Sequence, residues 1–459
     1  MRSRNTRRGM AVAAVLVSGG LVLAGCGGSD SEGSNKASGT SPGEGKAECE
    51  QLTQFGDLSG KSVKIYTSIV APEDQPYKDS FKLFTDCTGA AVDYEGSKEF
   101  EAQLVVRVKS GNPPDIAFIP QPGLLKTLVQ DTGKVVEAPK TVSDNVDEFY
   151  GPDWKAYGTV DGKFYAPPLT ANVKSFVWYS PKMFAEKGWK VPTTWDEMLT
   201  LSDTIAASGM KPWCAGIGSG DATGWPATDW LEDTLLRSAG PDVYDQWVNH
   251  EIPFNDPAVV DALDKVGGIL KNEDYVNGGF GDSKSIASTE FTDAGLPILD
   301  GKCAMHRQAS FYAANWPEGT DVSENGDAYA FYLPPMGDEF GSPVLGGGEF
   351  VTAFTDSIET QALMTYISGG EWVNEKGKAT KNGGFVSANK NLDIANVASP
   401  IDKTSVEILQ NPDAVFRFDG SDLMPGAVGA GSFWKEMTAW IGENQSTQDT
   451  LDNIEASWP

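Results

Sequence analysis

Two histidines, His250 and His306, are all that the 459 residues contain, so imidazole chemistry has little to work with. A zinc centre of several histidines lacks its ligands, and a Ser-His-Asp arrangement would depend on one of two positions. No Gly-x-x-x-x-Gly-Lys-Ser/Thr stretch is present, so there is no P-loop to cradle a nucleotide. Carboxylates are the opposite case: the 64 Asp and Glu residues offer many pairs. Two carboxylates suffice for glycoside hydrolysis, but such abundance makes any one pair uninformative. The aromatic supply is more telling, because all 13 tryptophans lie at or beyond Trp154. Neither a metal nor a cofactor is expected.

The chain length predicts two to four folding units, each able to bury its own core. A net charge of −28 repels nucleic-acid phosphates and anionic headgroups, which excludes a nucleic-acid partner. Residues 1–25 read as a targeting segment, with Arg2, Arg4, Arg7 and Arg8 ahead of an apolar run too short to be a membrane span. That segment ends in Leu23-Ala24-Gly25-Cys26, which resembles the lipobox of bacterial lipoproteins and implies a lipid on Cys26. Gly27 to Gly45 cannot bury apolar surface, and residues 26–58 are expected to form the anchor and a flexible tether. Loss of residues 1–25 takes four arginines and no acid, moving the charge from −28 to −32. Cys49, Cys87, Cys214 and Cys303 remain, an even number in an exported chain, which favours two disulfides. Three pairings are possible. Cys49 with Cys87 and Cys214 with Cys303 are expected, since the first pair brackets one βα unit and the second falls within one later lobe.

The elements that must position any site follow an alternating order. Ser62–Tyr66 alternates around Val63 and Ile65 as a strand does, and Tyr77, Phe81 and Phe84 then recur at helical spacing as far as Gly89. Ala91–Tyr94 reads as a strand, Phe100–Val108 as a helix, Asp115–Ile119 as a strand, and a further helix starts at Leu124. This βαβα order predicts an α/β fold with a mainly parallel sheet, whose ligands sit beyond the carboxyl ends of the strands. The loops 67–74, 96–99 and 120–123 fall at such ends. Residues 165–169 and 173–179 read as consecutive extended runs that could cross between lobes. Pro181–Lys187 is a helix closed by Gly188, and Thr194 is an N-cap with Glu197 in the capping-box position. Ala328–Leu333 and Glu349–Phe354 read as strands, Asp229–Ser238, Glu359–Asn374 and Gly431–Gly442 as helices.

Several stretches in order along the chain carry a family likeness: Ser110-Gly-Asn-Pro-Pro-Asp-Ile-Ala, Asp161-Gly-Lys-Phe-Tyr-Ala-Pro-Pro, Val177-Trp-Tyr-Ser-Pro-Lys-Met-Phe and Gly188-Trp-Lys-Val-Pro-Thr-Thr-Trp-Asp-Glu-Met, followed by Gly301-Lys-Cys-Ala-Met, Ser421-Asp-Leu-Met-Pro and Phe433-Trp434. Together with the lipobox they resemble the extracellular family 1 solute-binding lipoproteins of carbohydrate ABC importers, most of all the alpha-glucoside binders. The resemblance implies a periplasmic-binding-protein-like fold, two α/β lobes joined by crossing hinge segments with a ligand cleft between them. Lobe one would take residues 60–170 with 328–382, lobe two 172–326 with 383–459. It implies a monomeric, non-catalytic receptor on the outer face of the cell membrane, mostly open when free, that hands an oligosaccharide to membrane permease subunits. A secreted glycoside hydrolase and a cell-surface sugar sensor are the competing readings.

Pyranose rings present apolar C–H faces and a rim of hydroxyls, so a sugar cleft needs flat aromatic side chains and acceptors at the edge. Trp225, in a Gly-rich loop before a helix, is the candidate platform, with core packing its alternative; Trp230, inside the helix, suits the core. By resemblance Phe311, Tyr312 and Trp434 occupy stacking positions, although Trp434 also lies on an amphipathic helix with Met437 and Ile441, and Glu99 holds hydroxyls, although a first-turn acid also suits the helix dipole. Gln121 follows the third strand between stiffening prolines. Asn172 and Lys174 lie in the crossing, and Glu349 follows a glycine run that permits close approach. Arg307 could donate to hydroxyls or neutralise a buried Asp. Asp419 and Asp422 complete the set, one of them expected as a cap.

Overall fold

The computed structural model describes residues 39–277, 281–411 and 414–459. Cys26 and the basic leader lie outside the described residues. The strands that carry the architecture are β1 (Ser62–Thr67), β2 (Ala91–Gly96), β3 (Ile116–Ile119), β4 (Asn172–Val173), β5 (Phe176–Tyr179), β6 (Lys211–Trp213), β7 (Cys303–Arg307), β8 (Tyr329–Tyr332), β9 (Val344–Gly347), β10 (Phe350–Ala353) and β11 (Phe416–Phe418).

In lobe one the sheet order is β10-β3-β1-β2, with β1 parallel to β2 and β3, and β10 antiparallel at the edge. The alternation read along the sequence sorts side chains onto its two faces. Val63, Ile65, Ile116 and Phe118 enter one core with Phe84 and Leu363, while Tyr66, Ala117 and Ile119 enter another beneath helix Phe100–Lys109. Helix Pro122–Thr132 starts two residues before Leu124, because Pro122 has no N–H to leave unpaired at a helix start and its fixed φ suits the first turn.

Lobe two holds a sheet of order β8-β5-β7-β6. Here β5 is antiparallel to both β7 and β8, so the parallel pattern expected from the start of the chain does not extend to this lobe. Its main core wraps helix Trp225–Ser238, which is buried from Pro226 to Arg237. The lobes are joined through a third sheet, β11-β9-β4, in which three separate passes of the chain pair over a few residues each. Such short ladders suit a hinge.

Four expectations need correction. Tyr329–Tyr332, assigned to lobe one, pairs with β5 of lobe two, so the second segment of lobe one begins near β10. That segment also runs past residue 382, since Phe385 belongs to the lobe-one core and Lys390 N donates to Phe149 O at 2.9 Å. The tether expected over residues 26–58 ends earlier, because Ala47–Phe55 is a 3-10 helix that buries Cys49, Leu52 and Phe55 against lobe one. Polar composition masked three apolar anchors there. Residues 165–169 form no strand; only Pro168 bridges, to Phe350.

Both disulfides join the cysteines expected, Cys49 to Cys87 with Cα atoms 5.4 Å apart and Cys214 to Cys303 at 5.6 Å. The helix punctuation is also as read: Gly188 closes its helix at φ +70°, and Thr194 Oγ1 accepts from Glu197 N at 3.2 Å. Glu197 returns its bond to Thr193 N rather than Thr194 N, a capping box displaced by one residue.

Candidate functional site

The loops that leave the carboxyl ends of β1, β2 and β3 converge with the crossing segments and helix Trp225–Ser238 around one cavity of about 190 Å³. Lobe one supplies Ser68 to Ala71, Glu73 and Tyr77 after β1, Lys98 and Glu101 after β2, and Pro120 and Gln121 after β3. The crossing segments supply Thr170, Asn172, Lys174, Gly348, Glu349, Asp419 and Asp422. Lobe two closes the far side with Trp225, Phe291, Phe311 and Trp434.

The aromatic side of the cavity depends on a glycine. Gly224 has φ +116°, and a Cβ there would meet Trp434 O at 2.2 Å, so only glycine lets the start of the helix press against the Trp434 backbone. Trp225 then meets Phe291 edge to face at 5.0 Å and Phe311 at 6.0 Å, with the Lys174 ammonium 5.3 Å from its ring centroid. All three rings are half-buried, leaving part of each surface for a ligand. Trp434 is buried and its Nε1 has no partner.

Beneath the rings lies a network of buried charge. Lys174 Nζ donates to Asp229 Oδ1 at 3.0 Å and to Asp419 Oδ2. Burial alone would raise the Asp419 carboxyl, but the Lys174 ammonium and several hydrogen bonds bring it down to about 2. Burial pushes Asp229 up to about 7 against the pull of Lys174. Glu232 accepts from Gly420 N at 2.9 Å and Ser421 N at 3.1 Å. Asp419 also caps the short helix Gly420–Leu423 through Asp422 N at 2.9 Å. Asp229, Glu232 and Asp419 place carboxylate oxygens within 4.8 Å of one another, a spacing a metal could use. The Lys174 ammonium bonds two of the three and supplies the positive charge itself.

Of the residues singled out on sequence, the structure brings Gln121, Asn172, Lys174, Trp225, Phe311, Glu349, Asp419, Asp422 and Trp434 to the cavity wall. Three others lie elsewhere. Arg307 is buried under the network, with Nη2 3.0 Å from Asp233 Oδ2 and Nη1 3.5 Å from Asp229 Oδ2, the neutralising role that was its alternative. Tyr312 is fully buried, its hydroxyl donating to Thr292 O at 2.9 Å and accepting from Gly295 N at 2.9 Å. Glu99 is exposed at the start of helix Phe100–Lys109, where hydrogen bonding with Asp221 of lobe two raises its carboxyl. Trp230 packs edge to face on Trp213 at 5.3 Å, in the core as read.

Sequence reasoning missed Glu73, Glu101, Lys98 and Phe291. Glu73 carried the signal that selected Gln121, an acceptor next to a proline at a strand's carboxyl end. Phe291 carried none. The lobes meet at the cavity mouth, where Asp221 N donates to Lys98 O at 3.2 Å, Lys98 Nζ pairs with Glu290 at 2.5 Å and Asn315 Nδ2 donates to Glu73 at 3.2 Å.

Residues 68–337 match the family model of bacterial extracellular solute-binding proteins. The osmoprotective compounds-binding protein GgtB of Synechocystis sp. is 40% identical over 414 residues, 90% of this chain and 96% of its own length. The chain belongs to the bacterial extracellular solute-binding protein family. The alpha-glucosides-binding periplasmic protein AglE of Rhizobium meliloti is 37% identical over 426 residues, 90% of each chain. In fold, this solute-binding protein is similar to the solute receptor AcbH, with TM-score 0.71 and 20% identity over 87% of this chain and 97% of that one. It is likewise similar to maltose-bound MalE3 of T. maritima, with TM-score 0.66 and 15% identity over 86% and 98%. Solute-binding proteins of this family are extracytoplasmic receptors and not enzymes. Among the described residues no helix is long and apolar enough to cross a membrane.

Proposed function

We propose that this solute-binding protein captures a short alpha-glucoside between its lobes and delivers it unchanged to the permease of an ABC importer, held at the outer face of the membrane by a lipid on Cys26. The observation that carries the sugar reading is the division of the cavity: aromatic rings on one side, and on the other acceptors that include Gln121 Oε1 and Asn172 Oδ1, buried without partners. A buried polar atom left unpaired costs about 1–3 kcal/mol, which a hydroxyl of the ligand would recover. The volume of about 190 Å³ lies below the ~300–1,000 Å³ of typical small-molecule sites and favours one or two sugar rings over a longer chain. The relative AglE, named for alpha-glucosides, supports the same class. Calorimetry with trehalose, sucrose, maltose and maltotriose tests this, with recovery of intact sugar afterwards. Release of reducing sugar from trehalose would make the chain a hydrolase, and indifference to all four would end the proposal. Trp225→Ala should weaken binding at least about tenfold, on the order of 1.4 kcal/mol, with the melting temperature little changed. Unaltered affinity would return Trp225 to a packing role.

The same cavity predicts proton release. Burial pushes the carboxyls of Glu73, Glu101 and Glu349 up to about 7 each, relieved in part by Asn315 at Glu73, by backbone and Gln121 at Glu101, and by its own backbone at Glu349. Hydroxyls that donate to these groups favour the charged form and lower the pKa in the complex. Protons therefore leave on binding, and affinity rises with pH up to about 7 and levels off above it. Titrations at pH 6 in buffers of different ionisation enthalpy should reveal the release. Proton uptake, or an affinity that falls between pH 5.5 and 7, would contradict it.

A further inference from the structure

The lobe-one end of the cavity is dominated by carboxyl and amide oxygens, set beside the hydroxyls of Ser68, Tyr77 and Thr170. Glu73 receives one side-chain bond, from Asn315 Nδ2 at 3.2 Å, and Glu101 receives one, from Gln121 Nε2 at 3.2 Å. Glu349 receives none from another side chain among the described residues, and neither does Asp422, which is also at the wall. Gln121 Oε1 and Asn172 Oδ1 add two buried oxygens with no partner. Against these stand two lining ammonium groups, both committed: Lys174 to Asp229 and Asp419, and Lys98 to Glu290. Lys376 stands behind this end, outside the lining, and its charge draws the Glu73 and Glu349 carboxyls down against the rise that burial causes. Its Nζ donates to Thr380 Oγ1 at 2.9 Å and sits 4.2 Å from the centroid of the Tyr77 ring that forms the wall. The Trp434 indole N–H is the one buried, unpartnered side-chain donor among the described lining residues.

A cavity so rich in acceptors, with its cations engaged, discriminates by charge. A ligand oxyanion would meet carboxylates whose two lining cations are already paired, with Lys376 set back behind the Tyr77 ring, and like charges in a low-dielectric space repel strongly. An ammonium group brings three donors and a positive charge into the same space, and the facing carboxylates offset its loss of hydration. We infer that the site accepts amino-substituted glycosides as a ligand class, their ammonium seated between Glu73 and Glu349, and refuses acidic sugars. This rests on the glycoside reading above and adds to it the sign of charge the site admits.

The test is calorimetric, with wild-type protein at pH 7. The probes are trehalose and maltose, 2-amino-2-deoxytrehalose, 6-amino-6-deoxytrehalose and trehalose 6-phosphate. At least one amino sugar is expected to bind within threefold of trehalose or tighter, and the phosphate at least about a hundredfold more weakly. In Glu349→Gln the ratio of amino sugar to trehalose affinity should fall at least about fivefold, a comparison within one protein that a uniform loss of folding does not move. Binding of the phosphate close to that of trehalose overturns the charge selection, as does a tenfold or greater penalty on both amino sugars. Indifference to trehalose, maltose and every derivative would instead sink the glycoside reading and this inference with it.

Discussion

Replacement of Lys174 by Met is expected to cost about 3–5 kcal/mol of stability, the range for removing one partner of a buried ion pair. Lys174 is buried between Asp229 Oδ1 at 3.0 Å and Asp419 Oδ2, and both acids are buried too. The ammonium is the charge that keeps Asp419 ionised in a place where burial favours the neutral acid. Without it, Asp419, Asp229 and the neighbouring Glu232 face one another with only Arg307 nearby, 3.5 Å from Asp229. The sign with pH follows. In the wild type the lowered Asp419 pKa contributes stability that is present above its ordinary value and lost as pH falls toward about 2. In the variant the same carboxyl is raised, so its folded state is most stable at acid pH and weakens as pH climbs. The gap should therefore be wide at pH 7.5 and narrower at pH 5, and Lys174→Met with Asp419→Asn should recover part of it. Denaturant unfolding at the two pH values reads this directly. A loss under about 1 kcal/mol, equal at both, would show that Lys174 is solvated and replaceable.

Removing the Cys214–Cys303 bridge by double substitution to Ala should cost about 2–4 kcal/mol, since the bridge closes 89 residues of chain in the unfolded state. The cysteines lie at the end of β6 and the start of β7, inside a core with Trp178, Tyr312 and Ile298. Cys214 O faces His306 Nδ1 at 3.0 Å, so the two strands stay pinned by a hydrogen bond as well. Neither cysteine lines the cavity, and trehalose affinity should hold while the melting temperature falls. A variant as stable as the parent would mean that the sheet and this hydrogen bond already restrain the segment.

Much of lobe one was readable because its elements are local. Alternation in Ser62–Thr67 and Ile116–Ile119 separates the two faces of the sheet, and the rule that ligands gather at the carboxyl ends of parallel strands pointed to the loops that do form the wall. The errors are errors of direction. Glu99 and Glu101 are two positions apart on one helical segment, about 200° around the axis, and the one chosen faces solvent while the other faces the cavity. Arg307 and Tyr312 flank Phe311 and share its apparent chemistry, yet partners 74 and 20 residues away in sequence hold them inward. No window of sequence around Arg307 contains Asp233. The same holds for Tyr329–Tyr332, a strand whose alternation is clear but whose partner, β5, is set by how the chain crosses between lobes.

The disulfide-stapled helix at Ala47–Phe55 has a mechanical consequence. Any pull on the chain upstream of Cys49 passes through that bridge into the helix ending at Thr88, and so into the body that carries β1, β2 and β3. With the lipid proposed on Cys26 holding the chain, that half would be the fixed jaw and the half bearing Trp225, Phe291 and Phe311 the one that swings. The aromatic surface would then travel with the moving part, and the acceptors would wait on the stationary one.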